Sequence, residues 1–157
     1  MRSPPGFHCP EGRSHHPDAR IEGILVQPME RGLAEALVGF RIDAQAGPVI
    51  TVGMGGTLTE IYRDYAVRVA PVSVADAAEM IAEVRGFAVL RGHRGKPAGD
   101  IKALAEAIAA LSLLATISAP AVLEAEINPL IVRAAGKGVV AVDGVVRLGG
   151  RISSPPR

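Results

Sequence analysis

The chain has 157 residues, of which 48% are hydrophobic and 21% charged, and its formal net charge is +1. A chain of this size and composition is expected to fold as one globular domain rather than to remain disordered. Aromatic residues make up only 3%, and a net charge near zero gives no general attraction to phosphate backbones. A dedicated nucleic-acid binder is therefore not expected.

The cysteine content and the termini limit the compartment. Cys9 is the one cysteine, which excludes an intrachain disulfide and a thiolate zinc site and favours a reducing cytoplasm. The N-terminus lacks the apolar core of a signal peptide. The longest uncharged run, residues 107–123, is interpreted as a buried helix followed by a strand, so no membrane span is expected.

The domain organisation follows from periodicity. Residues 1–18 are rich in Pro, Gly, His and Arg without periodicity and are predicted to be a flexible leader. Residues 149–157 are predicted to be a flexible tail. Residues 19–148 form the predicted ordered domain.

The first part of that domain carries short β-leaning runs separated by Gly, Pro and Asp turns. These predicted strands are residues 24–26, 34–42, 48–52, 58–62 and 66–69. After them the apolar period changes from two to between three and four, which indicates helices.

Two helices and a final set of strands complete the pattern. The first helix is predicted to begin at the N-cap Ser73, with Asp76 in its first turn, and to end at Gly86. The second is predicted to begin at the N-cap Asp100 and to be closed by Pro120. Strands follow at residues 122–127, 130–132, 139–142 and 145–148. The expected fold is α+β, a mostly antiparallel sheet with two helices on one face.

A group of oxygen-bearing side chains lies in the last strands. Alternation along residues 122–127 places Glu124, Glu126 and Asn128 on one face, and Pro129 is expected to break the pairing just beyond them. The turn at residues 136–138 can return Asp143 beside Asn128. Carboxylate and amide oxygens are ligands that magnesium prefers, but a solvated polar face on an edge strand is an alternative reading.

A glycine-rich stretch is the second candidate. Residues 53–56 read Gly-Met-Gly-Gly, with Glu60 beyond them, and glycines such as Gly55 and Gly56 let backbone groups approach a phosphate closely. The stretch lacks the Lys-Ser/Thr of a Walker A loop, and no helix opens after it as in a Rossmann fingerprint. A hairpin turn explains the same residues without a ligand.

A basic loop is the third candidate. Arg91, His93, Arg94 and Lys96 lie in a Gly/Pro-rich segment, where charge-assisted hydrogen bonds could hold phosphate or CoA groups. Solvated surface is the alternative. No serine or cysteine lies in the setting of a catalytic nucleophile.

Taken together, the motifs carry a family resemblance. In chain order they are GILVQPM (23–29), EALVG (35–39), GPV (47–49), GMGGTLTEIYRD (53–64), VAPVS (69–73), RGKPAGD (94–100), EINPLIV (126–132) and VVAVDG (139–144). This series resembles the ATP-grasp domain of NDP-forming acyl-CoA synthetases, also called ADP-forming acetate–CoA ligases. The end of the series is also similar to the nucleotide-binding subunit of succinyl-CoA synthetases. The resemblance covers residues 19–148 and implies the C-terminal lobe of an ATP-grasp domain.

The resemblance implies a role for particular residues. Val26, Gln27 and Met29 match a hinge strand that holds the adenine, and Glu35 matches the acidic residue that binds the ribose. Asn128 and Asp143 match magnesium ligands. Glu126 matches an acidic residue near the phosphoryl-transfer centre, where it would position a phosphohistidine from a partner domain.

The implied reaction is acyl-CoA + ADP + phosphate ⇌ carboxylic acid + CoA + ATP, with Mg²⁺ and ATP or ADP as cofactors. The implied partners are a CoA-binding domain, a phosphohistidine-carrying domain and the other ATP-grasp lobe, which the motif series does not include. Three hypotheses follow: a subunit or part of a split ligase, a truncated product without activity, and an unrelated small α+β binding module. These motifs do not indicate which acid is the substrate or whether ATP or GTP is preferred.

Overall fold

The computed structural model describes residues 26, 28–56, 64–92, 95 and 97–149. Six strands form one sheet: β1 (Ala34–Asp43), β2 (Gly47–Met54), β3 (Tyr65–Val69), β4 (Val122–Val132), β5 (Val139–Ala141) and β6 (Gly144–Leu148). Two α-helices, α1 (Val74–Glu83) and α2 (Ile101–Ser112), lie between β3 and β4, each followed by a 3₁₀ helix (Arg85–Arg91 and Leu113–Thr116). The leader, the predicted strand at 58–62 and the tail beyond Gly149 lie outside the described residues.

The sheet order is β3-β2-β1-β4-β5, with β6 also paired to β4. Each strand pairing among the described residues is antiparallel, which confirms the predicted α+β class. β4 is long enough to take two partners along one edge. Its first part pairs with β6 up to Ile127, and its last three residues pair with β5 from Leu130 onward.

The core lies on one face of this sheet. Along β1, Ala36, Val38 and Phe40 are buried at 0–1% exposure, whereas the residues between them are less buried. This alternation is the two-residue period of a strand with one covered face. Met80, Leu104 and Ile108 and other apolar side chains of the helices join the same cluster, so the helices cover this face. We call the opposite side the open face.

The helix caps agree with the sequence. The Ser73 hydroxyl accepts from the backbone N–H of Asp76 at 3.1 Å, and the Asp76 carboxylate accepts from the N–H of Ser73 at 2.9 Å, a complete capping box. Asp100 caps α2 by accepting from the N–H of Ala103 at 3.1 Å. No helix within the described part of the chain is long and apolar enough to cross a membrane.

Gly86 does not end the first helix as predicted. Helix α1 ends at Glu83, and Gly86 lies inside the following 3₁₀ helix. A Cβ at Gly86 would lie 2.3 Å from Cγ of Met54, and its N–H donates to the Asp64 carboxylate at 2.7 Å. Close packing against the sheet therefore explains this glycine, because a side chain would not fit beside Met54. Its backbone is not left-handed, so conformational freedom is not the reason.

The end of the second helix also differs from the prediction. Helix α2 ends at Ser112, and a 3₁₀ turn continues to Thr116, well before Pro120. The buried Ser112 hydroxyl donates to the carbonyl of Ala109 at 2.6 Å and accepts from the N–H of Val72 at 3.0 Å. Such a local side-chain bond competes with continued α-helix and marks its end.

Candidate functional site

The acidic residues of β4 lie on the open face. Glu124 pairs in register with Arg41, and Glu126 pairs with Gly39, while Ala125 between them faces the core beside Phe40. Glu124 and Glu126 line a shallow concavity of about 410 Å³ together with residues of three strands, Leu37, Gly39, Arg41, Thr51, Tyr65 and Val67. The predicted common face of the two glutamates is therefore confirmed.

The two glutamates differ in their electrostatic surroundings. The Glu124 carboxylate lies 3.1 Å from the Arg147 guanidinium on the neighbouring strand β6. Among the described residues, no Lys or Arg lies within ion-pair distance of Glu126. Of the two glutamates, Glu126 is therefore the one whose charge is not paired with a described Lys or Arg and is available to a ligand.

Asn128 and Asp143 lie beside each other where β4 changes partners. The backbone N–H of Asn128 donates to the carbonyl of Asp143 at 3.1 Å, and the N–H of Val142 donates to the carbonyl of Pro129 at 3.1 Å. The register against β1 also shifts between Ile127 and Leu130. The hairpin predicted from the turn at residues 136–138 is therefore present, and it brings the two predicted metal ligands together.

Pro129 interrupts the pairing just beyond Asn128, as predicted, because the paired residues of β4 stop at Ile127 and resume at Leu130. It does not end the strand, although two separate runs, residues 122–127 and 130–132, were predicted. β4 runs without interruption from Val122 to Val132. The register shift accommodates the missing N–H donor, because a residue in such an irregularity needs no ladder hydrogen bond. The proline therefore marks the point at which β4 passes from β6 to β5.

The donor set at this point fits a magnesium ion. One Asp143 carboxylate oxygen accepts from the N–H of Gly144 at 2.8 Å, which orients the carboxylate. Within the described ranges no three Asp, Glu, His or Cys side chains form a metal cluster, so an all-protein cage is absent there. One carboxylate and one amide suit magnesium, which keeps several positions for water and phosphate oxygens.

Glu35 and the glycine stretch are also brought together. The N–H of Gly55 donates to the carbonyl of Glu35 at 2.7 Å, and a Cβ at Gly56 would lie 3.2 Å from Oε2 of Glu35. Gly53 and Met54 end β2, and Gly55 and Gly56 follow it in the connection to the antiparallel strand β3. The Gly55 N–H already donates to the Glu35 carbonyl, so it does not serve as a donor to a ligand. Gly55 instead lets its backbone lie close to that of β1.

The predicted hinge, Val26 to Met29, is only partly described. Val26, Pro28 and Met29 belong to no strand, and the side chains of Val26 and Met29 are each 88% exposed. Pro28 has no backbone N–H to donate to a ladder, in keeping with the prediction that it stops a strand. Gln27 and residues 24–25 of the predicted strand lie outside the described residues.

The basic loop is only partly described. Arg91 is exposed at the end of the first 3₁₀ helix. The other charged residues of this loop, His93, Arg94 and Lys96, lie outside the described residues. The same holds for Glu60, beyond the glycine stretch. The N–H of Gly99 donates to the carbonyl of Leu90 at 2.9 Å, so the two ends of this loop meet.

Asp64 anchors two segments to each other, a role that the sequence does not indicate. The Asp64 carboxylate accepts from the N–H groups of Arg85 and Gly86 at 3.0 and 2.7 Å. It fixes the chain that follows the glycine stretch to the 3₁₀ helix. An aspartate 21 and 22 residues before its partners carries no periodic signal, so only the tertiary structure reveals these contacts.

Comparison with known proteins identifies the class. A sequence profile of the ATP-grasp domain matches residues 11–148. The chain therefore belongs to the ATP-grasp domain family. Its relatives include ADP-forming acetate–CoA ligases, as the resemblance implied. Membership in this family excludes the hypothesis of an unrelated binding module.

Two curated relatives show the extent of the likeness. Acetate–CoA ligase [ADP-forming] I of Archaeoglobus fulgidus is 44% identical over 130 residues, covering 83% of this chain and 18% of that protein. Acetate–CoA ligase [ADP-forming] II subunit beta of Pyrococcus furiosus is 35% identical over 138 residues, covering 88% of this chain and 58% of that subunit. The chain thus spans less than two thirds of either relative.

Solved structures share the fold. A crystal structure of a Pyrococcus horikoshii protein superposes with a TM-score of 0.77 at 32% identity, covering 89% of this chain and 59% of that one. The dinucleotide-forming acetyl-coenzyme A synthetase 1 of Ca. Korarchaeum cryptofilum, in complex with coenzyme A, Ca-AMPCP and HgCl⁺, gives 0.76 at 36% identity and covers 87% and 58%. Another structure of that synthetase holds coenzyme A and Mg-AMPPCP, with a phosphohistidine segment pointing towards the nucleotide-binding site.

Proposed function

We propose that this chain forms the nucleotide- and magnesium-binding part of an ADP-forming acyl-CoA synthetase. The observation that carries the proposal is the convergence of candidate residues on two neighbouring strands. β1 carries Glu35, β4 carries Glu126 and Asn128, and the β5–β6 connection adds Asp143 beside Asn128. Convergent polar groups beside a concavity are typical of a ligand site.

The roles follow from the chemistry of each group. Asn128 and Asp143 would hold a magnesium ion, which supplies charge neutralisation for the phosphates when bound. The Glu35 carboxylate is an acceptor for ribose hydroxyls, and Gly56 beside it allows a phosphate to approach the backbone. Val26 and Met29 are exposed at the start of the described chain, where their backbone and side chains can contact the base.

Glu126 is the proposed catalytic carboxylate. It lies two residues before Asn128 on the open face, without an ion-pair partner among the described residues. A carboxylate there can accept a hydrogen bond from a histidine N–H and so orient that ring towards the phosphates. The phosphohistidine would come from a partner domain or subunit, as would the CoA site and the other ATP-grasp lobe.

The overall reaction proposed for the assembled enzyme is acyl-CoA + ADP + phosphate ⇌ carboxylic acid + CoA + ATP. The relatives named as acetate–CoA ligases and the synthetase structures with bound nucleotide support this proposal. The chain supplies the nucleotide half of that reaction.

The test is titration calorimetry with Mg·ADP, repeated with excess EDTA. Asn128→Ala and Asp143→Asn should each weaken magnesium-dependent ADP binding by about tenfold or more, since even outer-shell changes at metal sites have effects of that size. Asp43→Asn is the matched control, because Asp43 caps the β1–β2 turn by accepting from Gln45 and Ala46.

Binding that is unchanged in both site variants would remove the metal assignment. A folded chain that binds no Mg·ADP, alone or with a protein supplying the rest of the relatives' length, would favour the hypothesis of a truncated product without activity.

A further inference from the structure

The coil before β1 is fixed to the end of β4 by two polar contacts. Glu30 and Arg133 form an ion pair with 2.5 Å between Oε2 and Nη2, and their side chains are 32% and 35% exposed. The N–H of Leu33 donates to the carbonyl of Val132 at 2.7 Å. We call these two contacts the 30–133 clasp.

Gly32 allows this coil to lie directly on β4. A Cβ at Gly32 would stand 2.4 Å from the carbonyl oxygen of Val132 and 2.5 Å from Cγ2 of Ile131. Ile131 is only 4% exposed, although it pairs with the exposed Glu35 on the open face. The coil therefore covers Ile131, and backbone and side chain meet there without room for an added methyl group.

The residues just before the clasp have no comparable support. Val26 and Met29 are each 88% exposed, so burial in the core does not fix them. The clasp begins at Glu30, the residue bonded to Met29. Among the described residues, the clasp is therefore the contact that fixes this exposed segment relative to the sheet.

We propose that Glu30 and Arg133 are positioning residues for the base of the nucleotide. The inference rests on the proposed function, because it assumes that Val26 and Met29 contact the base. The phosphate side of the site does not depend on the clasp. Asn128, Asp143 and Gly55 are held by their own strand hydrogen bonds. Breaking the clasp should therefore weaken contacts to the base and leave contacts to the phosphates intact.

The experiment compares two probes on the whole chain, Mg·ADP and Mg·tripolyphosphate, by titration calorimetry. Glu30→Gln and Arg133→Gln should each raise the Kd for ADP about twofold to fivefold, the upper part of the range expected when a partly exposed ion pair is lost. The Kd for tripolyphosphate should change less than about twofold, within the ordinary effect of a distant surface change. The double variant Glu30→Arg/Arg133→Glu should recover part of the ADP affinity.

Arg68→Gln is the matched control. Arg68 pairs with Glu83 between β3 and α1, so this variant also loses an Arg–Glu pair between two elements. Both probes should bind it as they bind the unchanged chain. Circular dichroism melts establish that each variant is folded at the titration temperature.

The possible results separate the explanations. Equal weakening of both probes would overturn the inference, because Arg133 would then act on phosphates or on folding in general. Unchanged ADP binding in both single variants would overturn it as well. An unmodified chain that binds tripolyphosphate but not ADP would refute base positioning and leave the phosphate site. Binding of neither probe, even with a protein supplying the rest of the relatives' length, would refute the proposed function itself.

Discussion

Two glycines on neighbouring elements illustrate what one residue decides. At Gly32 the space for a Cβ is already filled by the carbonyl of Val132 and a methyl group of Ile131. At Gly39, in the middle of β1, an added Cβ would meet nothing closer than Cδ2 of Leu37 at 3.8 Å. The sequence alone gives both residues the same letter.

Substitution of these two glycines should have opposite effects. Gly32→Ala should destabilise the fold by about 1–3 kcal/mol, since backbone must move to admit the methyl group. Gly39→Ala should be neutral or stabilising by up to about 1 kcal/mol, because alanine loses less backbone entropy in a strand. Urea denaturation of the two variants measures both values, and a loss at Gly39 as large as that at Gly32 would contradict the close-approach explanation.

Some contacts of the site residues could be predicted from the sequence, and others are revealed only by the tertiary structure. Asn128 and Asp143 could be predicted as neighbours, because a short turn between two strands fixes which residues lie opposite. The pairing of Glu124 with Arg147 could not, because it depends on the register of β6 against β4. Within the described part of the chain, that register leaves Glu126 without an ion-pair partner, in keeping with the role proposed for it.

At the scale of elements, one carboxylate joins a helix to a hairpin. Asp100 caps α2 and also accepts from the N–H of Gly138 at 2.8 Å in the β4–β5 turn. The backbone N–H of Asp100 donates to the carbonyl of Arg133 at 2.9 Å. The bonds from Gly138 and Ala103 hold the pKa of Asp100 below its ordinary value of 3.8, because they favour the charged form.

This shift predicts a pH dependence. A carboxyl group whose pKa is lower in the folded state stabilises the fold above its unfolded pKa, and that contribution is lost as the pH falls through the folded pKa. Asp100→Ala should therefore be clearly less stable than the unchanged chain at neutral pH, and the difference in unfolding free energy should shrink below pH 3.8.

Urea titrations at a series of pH values measure that difference. Glu106→Ala serves as the control on the same helix, since Glu106 makes one exposed pair with Lys102 and should show little dependence on pH. An Asp100→Ala difference that stays constant with pH would show that the carboxylate's charge is not what joins α2 to the hairpin.

At the scale of the whole molecule, the helices cover one face of the sheet and leave the other open. The concavity on the open face is lined by strands β1 to β4, so a ligand there would contact segments far apart in sequence. A ligand that binds only this folded arrangement must raise the stability of the entire domain.

Thermal unfolding tests that linkage. If Mg·ADP binds the folded chain, ADP at about 100 times its Kd should stabilise the domain by about 2.7 kcal/mol and raise the Tm by several degrees. EDTA should abolish most of the shift, and Asn128→Ala should reduce it at the same ligand concentration. A shift that persists in EDTA would show that nucleotide binding does not need the metal.

The sequence by itself determined strands β1 to β3, both helix caps and the hairpin that joins Asn128 to Asp143. Those features depend on local periodicity, capping chemistry and short turns, which a few neighbouring residues specify. The tertiary structure alone decided that Gly86 packs against Met54, that Pro129 lies within a continuous β4, and that Glu30 meets Arg133. Each of these depends on which distant segments come together, and strand register and close packing are not encoded in any short stretch of the chain.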